Sequence, residues 1–383
     1  MLEGKAVPMA YRMACYKMEQ LIGASWTRPI SLTVSITQRC NSRCKTCNIW
    51  KHRTDTPELS IVEYEAIFRT LAAQVFWFTL SGGEPFLRDD IVDIVKIIKR
   101  YTRPAVINLP TNGLLPQRII AAVANILKIT APQTTLIVNV SLDGIGNDHD
   151  EIRGVPGNFS RFEETYQGLK ELKKQYPAAF EIGIHSVISN FNIANLPALF
   201  SFVQDTLKPD SYISEIAENR EELLNMKDEI APPVHRYEEI IRPLQHEIRG
   251  TLLHNRGLTG MIQAFRLSYY DYVIRELQEK RRVIPCYAGQ VSAQISPWGD
   301  VWPCCILAYK ADMGNLRNFD LDFNRLWSSK QAMRVRKQVA RGDCYCPMAN
   351  VHYTNMALTP SAMVRVCSNY LRATINWQGW DRT

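Results

Sequence analysis

The chain has 383 residues, 46% of them hydrophobic, and a formal net charge of +7. That is enough apolar material for a barrel-sized core and a smaller second unit, and the clustering of the ten cysteines excludes a small secreted disulfide scaffold in favour of metal sites. Basic residues are not interleaved with aromatics as in nucleic-acid binders, and no apolar run suits a signal peptide or a membrane span, so a cytoplasmic protein is expected.

Residues 1–29 read as an N-terminal amphipathic helix over 9–22, with Arg12 and Lys17 on its polar side. Such a helix packs on its own domain or, alternatively, touches a membrane surface. Cys15 within it reads as plain packing. The stretch is short for a domain that binds a peptide leader. The apolar run over 31–36 predicts a first strand, and directly after it stand Cys40, Cys44 and Cys47. Three thiols so close together can hold three irons of a 4Fe–4S cluster and leave the fourth open. The loop at the C-terminal end of a strand is also where an α/β barrel keeps its active site. Spacing alone leaves a structural zinc open as the alternative, with His52 the nearest further donor. Residues 75–78 predict a second strand whose exit, Gly82-Gly83-Glu84-Pro85, lies on the same rim. Two glycines there permit close backbone approach, and Glu84 offers an acceptor for an ammonium group.

A Cys-x3-Cys-x2-Cys loop followed one βα unit later by Gly-Gly-Glu-Pro resembles the radical S-adenosylmethionine (SAM) superfamily, over residues 30–220. The resemblance implies that Cys40, Cys44 and Cys47 hold the SAM-binding 4Fe–4S cluster. It implies further that Gly82, Gly83, Glu84 and Asn112 position SAM, that Ser141 lies near its ribose, and that Arg153 faces its carboxylate. Reductive cleavage then gives a 5′-deoxyadenosyl radical that removes a hydrogen atom from the substrate, the electron coming from a reductant such as flavodoxin or ferredoxin. One departure is Thr46, where the family often has an aromatic residue. For Ser141 and Arg153 a capping or surface role is the plainer alternative.

Further strands are predicted at 105–109, 136–140, 181–188 and 211–216, separated by amphipathic helices over 61–71, 91–98 and 162–172. Six such units predict an α/β fold, a partial (β/α)6 TIM-like barrel open on one side. Asp143, His185, Glu215 and Glu218 are its candidate acids or bases at strand ends, His185 having the plainer alternative of a satisfied core residue. Residues 221–282 read as a helical linker, with helices over 221–226, 237–247 and 261–281.

The remaining cysteines, Cys286, Cys304, Cys305, Cys344, Cys346 and Cys367, gather toward the C-terminus. A hairpin turning near Gly299-Asp300 would bring Cys286 and Cys304 together. The Gly299-x4-Cys304 element and Gly314-Asn315-Leu316 resemble the SPASM or shortened twitch extension, which implies a small C-terminal α+β cluster-binding domain over 283–350. Six thiols cannot fully ligate two four-iron clusters. One auxiliary 4Fe–4S cluster is therefore expected on Cys286, Cys304, Cys344 and Cys346, with Cys305 and Cys367 as alternates and zinc as the competing ion. A spare Cys305 could return a hydrogen atom to the substrate. Residues 351–383 read as a tail with a closing helix over 362–375.

The expected substrate is a small metabolite, such as a sugar or aminocyclitol, that is dehydrogenated or epimerised. A peptide residue is the second option and a lipid the third. Basic runs at 280–282 and 334–341 are solvated helix faces or would attract a phosphorylated or nucleotide-linked substrate. The rival of another class is an iron–sulfur or zinc protein used for electron transfer or binding.

Overall fold

The computed structural model describes residues 11, 13–19, 27–71, 75–252, 257–342 and 344–374. The chain divides into two compact units, residues 1–231 with 288–337 and residues 232–287 with 338–383. Of the helix expected over 9–22, residues 11 and 13–19 are helical and the rest lies outside the described residues.

In the first unit six strands follow one another: β1 (Ser31–Thr37), β2 (Trp77–Gly82), β3 (Val106–Thr111), β4 (Thr135–Ser141), β5 (Phe180–Ile188) and β6 (Ser211–Ile216). Every neighbouring pair from β1 to β6 is parallel. The crossovers carry α1 (Ile61–Leu71), α2 (Ile91–Tyr101), α3 (Pro116–Thr130), α4 (Asn147–Arg153), α5 (Asn158–Gln175) and α6 (Leu196–Ser201). This is the partial barrel that the alternation of periods predicts.

Period-two burial explains the sheet. Leu32, Val34 and Ile36 on β1 and Leu136, Val138 and Val140 on β4 are fully buried. α2 meets the strands with Ile91, Ile94, Val95 and Ile98, an apolar stripe at helical spacing. The alternate strand positions are polar instead: Ser35, Thr79, Asn108 and Asn139. Asn139 Nδ2 donates to Asn108 Oδ1 at 2.6 Å, and Asn108 Nδ2 donates to Thr79 Oγ1 at 3.4 Å. Gly183 stands opposite Asn139, and a Cβ there would meet Asn139 Oδ1 at 1.9 Å. A polar ladder thus crosses the face where a closed barrel would stack apolar layers.

The sheet continues past β1. β7 (Ser292–Ile295) runs parallel to β1, with Ser292 opposite Ser31, and β8 (Asp300–Trp302) and β9 (Gly314–Asn315) add antiparallel strands. The order is β6-β5-β4-β3-β2-β1-β7-β8-β9. The expected hairpin is therefore β7–β8, with Gly299 at φ +94° in its turn. The segment after β6 reaches back to this side: Glu222 Oε1 accepts from Gln294 Nε2 at 2.5 Å and lies 3.5 Å from Ser35 Oγ. A flat sheet would hold these groups many strands apart, so the sheet curls.

The helix expected over 221–226 is a correction. Only a 3-10 turn forms, Glu221–Leu223, and Leu224 leaves it at φ +53°. Asn225 competes for the backbone here: its Oδ1 accepts from the Arg220 N–H at 2.7 Å and its Nδ2 donates to Glu218 O at 3.1 Å. The other linker helices form in the second unit as α7 (Val234–Leu252) and α8 (Gly257–Glu279), joined by helices at Ala349–Leu358 and Pro360–Thr374. No helix among the described residues is long and apolar enough to cross a membrane.

Candidate active site

The three thiols of Cys40, Cys44 and Cys47 stand in the irregular segment that follows β1. Backbone contacts from three other strand exits hold that segment. From β2, the N–H of Gly83 donates to Thr37 O and that of Glu84 to Arg39 O, both at 2.8 Å. A Cβ on Gly82 would fall 2.0 Å from Thr37 O, and one on Gly83 would fall 2.1 Å from Arg39 O. The two glycines therefore let β2 close on the cysteine segment. From α4, Arg153 O accepts from the Arg43 N–H at 3.0 Å and Ile152 O from the Lys45 N–H at 2.8 Å. From the turn after β6, Leu223 O accepts from the Asn48 N–H at 2.9 Å, and Asn225 Nδ2 donates to Thr46 O at 2.9 Å.

Donors also gather on the sulfurs. The Ser42 N–H donates to Cys40 Sγ at 3.4 Å, Asn112 Nδ2 lies 4.0 Å from the same atom, and Arg153 Nη1 lies 3.8 Å from Cys44 Sγ. Burial, with thiolate charge on Cys44 as a lesser cause, pushes the Cys40 and Cys47 thiols up to about 12. Such thiols give up their protons only to a strongly cationic partner. No three His, Cys, Asp or Glu side chains among the described residues could share one metal ion; a four-iron core spans a wider ring of thiolates than a single ion does. Three soft donors, flanked by N–H groups and a guanidinium, fit an iron–sulfur cluster.

Glu84 is 1% exposed, and its carboxylate ties two strand exits together. Oε1 accepts from Thr111 Oγ1 at 2.9 Å and from the Phe86 N–H at 3.2 Å, while Oε2 accepts from the Asn112 N–H at 2.8 Å. Burial raises its pKa to about 7 against these bonds. Asn112 donates from Nδ2 to Asn41 Oδ1 at 2.7 Å, which joins β3 to the cysteine segment. Arg153 pairs with Asp143 at 2.8 Å. Burial alone would lower the guanidinium's pKa, but the Asp143 carboxylate and the Cys44 thiolate outweigh it and hold it above its ordinary range. Asp143 Oδ1 also accepts from the Val187 N–H at 2.8 Å, so this carboxylate is engaged within the protein on both oxygens. Its N–H donates to His149 Nδ1 at 3.1 Å, and burial lowers His149 to about 4. His149 is thus a neutral brace.

Ser141 ends β4 in register with His185 on β5, and His185 Nε2 lies 2.9 Å from Glu215 Oε2. Glu218 contributes its carbonyl to Asn225. Cys305 takes a hydrogen bond from Arg220; burial raises the thiol's pKa and Arg220 opposes the rise. Arg220, Glu222, Gln294 and Asn225 escape sequence reasoning, because only the curl of the sheet brings them to the cysteine segment. Cys304 and Cys305 belong to the first unit, and Cys286, Cys344, Cys346 and Cys367 to the second. Within the second, Arg282 Nη2 donates to Cys344 Sγ and its Nε to Cys344 O, both at 3.2 Å. His352 Nε2 lies 2.9 Å from Cys346 O, and Tyr269 Oη donates to Pro347 O at 2.7 Å.

Comparison with known proteins agrees with this chemistry. Residues 34–193 match the radical SAM superfamily, and residues 286–350 match SPASM, an iron–sulfur cluster-binding domain. Pre-heme d1 synthase of Dinoroseobacter shibae is 29% identical over 188 residues, 48% of this chain and 42% of that protein. The antilisterial bacteriocin subtilosin biosynthesis protein AlbA of Bacillus subtilis is 23% identical over 341 residues, 83% of this chain and 66% of that protein. The chain thus spans less than two thirds of the length of either relative. The crystal structure of Streptococcus suis SuiB bound to the precursor peptide SuiA shares the fold, with a TM-score of 0.59, 15% identity, and coverage of 86% of this chain and 71% of that one. The chain carries a radical SAM domain, whose cofactors are a 4Fe–4S cluster and S-adenosylmethionine, and an SPASM domain for auxiliary iron–sulfur binding.

Proposed function

We propose that this enzyme cleaves SAM reductively and uses the product to oxidise or epimerise a polar substrate. The observation that carries the reading is the convergence of Cys40, Cys44 and Cys47 with Arg153 and Asn112 on one rim of the barrel. When bound, the cluster with SAM supplies a 5′-deoxyadenosyl radical for hydrogen abstraction. Cys40, Cys44 and Cys47 hold the cluster. Gly82 and Gly83 set the approach of β2, Glu84 fixes Asn112 beside it, and Ser141 and Arg153 complete the SAM side. Cys286, Cys304, Cys344 and Cys346, with Cys305 and Cys367 as alternates, supply the auxiliary cluster. The electron comes from a flavodoxin- or ferredoxin-like donor.

The polar ladder of Thr79, Asn108 and Asn139, with the His185–Glu215 pair, favours a hydroxylated small metabolite, a sugar or aminocyclitol, over a lipid. In this reading His185 and Glu215, 2.9 Å apart, accept the proton released on oxidation, and Cys305 returns hydrogen if the outcome is epimerisation. A peptide residue is the second reading, favoured by the similarity to AlbA across 83% of the chain.

The test is iron and sulfide content with electron paramagnetic resonance, in anaerobic protein with and without SAM. Wild type should hold about eight irons and the Cys40/Cys44/Cys47 triple Ala variant about four, with a SAM-dependent signal only in wild type. A triple variant that still cleaves SAM would sink the assignment.

A further inference from the structure

Arg220 enters the barrel from the turn after β6. Asn225 takes its N–H at 2.7 Å and donates to Thr46 O at 2.9 Å, so one asparagine fixes Arg220 against the residue before Cys47. The guanidinium donates to Cys305, and the charge of a Cys47 thiolate acts on it. Its ion pair is long: Nη1 lies 3.9 Å from Glu222 Oε2, beyond hydrogen-bond length. Glu222 Oε1 is meanwhile engaged by Gln294 at 2.5 Å. Among the described residues neither Arg220 Nε nor Arg153 Nε makes a hydrogen bond of good geometry. Arg153 differs in its ion pair, because Asp143 matches its charge at 2.8 Å. The cysteine segment therefore faces one arginine paired to its carboxylate at hydrogen-bond length and one paired at longer range.

Net charge and hydrogen bonds at the sulfurs set the reduction potential of an iron–sulfur cluster, and solvent screens a part-buried charge only weakly. We propose that Arg220 is a positioning residue that raises the reduction potential of the cluster held by Cys40, Cys44 and Cys47, through a buried guanidinium whose carboxylate partner stands off at 3.9 Å and whose backbone Asn225 ties to Thr46. One electron from a low-potential external donor enters the cluster, no atom is transferred, and the added negative charge is stabilised by the cation. The proposal rests on the cluster assignment made above.

The experiment is an anaerobic redox titration of the full-length protein, followed by electron paramagnetic resonance. The signal missing from Cys44→Ala identifies the cluster. Arg220→Gln should keep wild-type iron and shift the midpoint to more negative potential, and Arg220→Lys should restore most of the shift. If Arg220→Gln fails to load iron, the apolar variant Arg220→Met carries the test, and the same shift to more negative potential is expected. An unmoved midpoint in the iron-loaded variant overturns the proposal. Absence of the signal from wild type would instead overturn the cluster assignment.

Discussion

His149 shows how one buried side chain ties the site to pH. Its imidazole accepts the Asp143 N–H, and burial holds its pKa near 4, below the usual value of 6.5. A histidine depressed in the fold is protonated first in the unfolded chain, so its contribution to stability is intact above the unfolded pKa. That contribution is lost as pH falls from 6.5 toward 4, by about 3 kcal/mol in all. Glu84 works in the opposite sense, since a carboxyl raised to about 7 favours the fold most at low pH and less as pH rises through that value. The two overlap, so the difference between variants is the clean readout. His149→Gln, which can still accept the Asp143 N–H, should flatten the loss of stability between pH 6.5 and 4 in denaturant titrations of the cluster-free protein. An unchanged slope would show that His149 is not what the acid limb reports. The three thiols and the Gly-Gly-Glu-Pro exit were legible because their chemistry is local. The engagement of Asp143 with Arg153 and Val187 was not, because it depends on how far α4 and β5 approach the end of β4.

At the scale of elements, the turn after β6 departs most from expectation. Its acidic and apolar residues fit a helical pattern, yet Asn225 and the positive φ of Leu224 stop the helix after one 3-10 turn. Propensity lost to side-chain competition for the backbone. What results is a clamp: Asn225 is fully buried and bonds to Arg220, Glu218 and Thr46 at 2.7, 3.1 and 2.9 Å. Replacing it with Ala removes three hydrogen bonds, one buried and two part-buried, and should cost about 3 kcal/mol. The midpoint of urea unfolding should fall accordingly, and iron loading at the N-terminal cluster should fall with it. Full stability together with full loading in Asn225→Ala would mean that the turn holds its place without this residue. The six barrel strands, by contrast, were readable from apolar runs bounded by turn residues; five differ from expectation by at most two residues at an end, while β2 runs Trp77–Gly82 and not 75–78, because the strand continues through Thr79, Leu80 and Ser81 into the first glycine.

Across the whole molecule, local patterns could not show that β7 pairs with β1. Four residues, Ser292–Ile295, read as one arm of a hairpin and carry no mark of the strand that lies on their other side. The pairing covers the free edge of the barrel sheet, and unpaired edges template association. A chain ending at residue 231 leaves β1 without that neighbour. It should therefore self-associate on size-exclusion chromatography under conditions where the full chain does not; a stable, folded monomer would show that β1 tolerates exposure.

The same pairing sets a clock on synthesis. Ser292 leaves the ribosome about 260 residues after its partner Ser31, which at ordinary elongation rates is a delay of about 13–50 s. Through that interval the six-stranded nascent sheet waits with its first strand incomplete while the helices of residues 232–287 are still being made. Yield in a host should then depend on chaperone supply and elongation rate more than on the equilibrium stability of the finished fold.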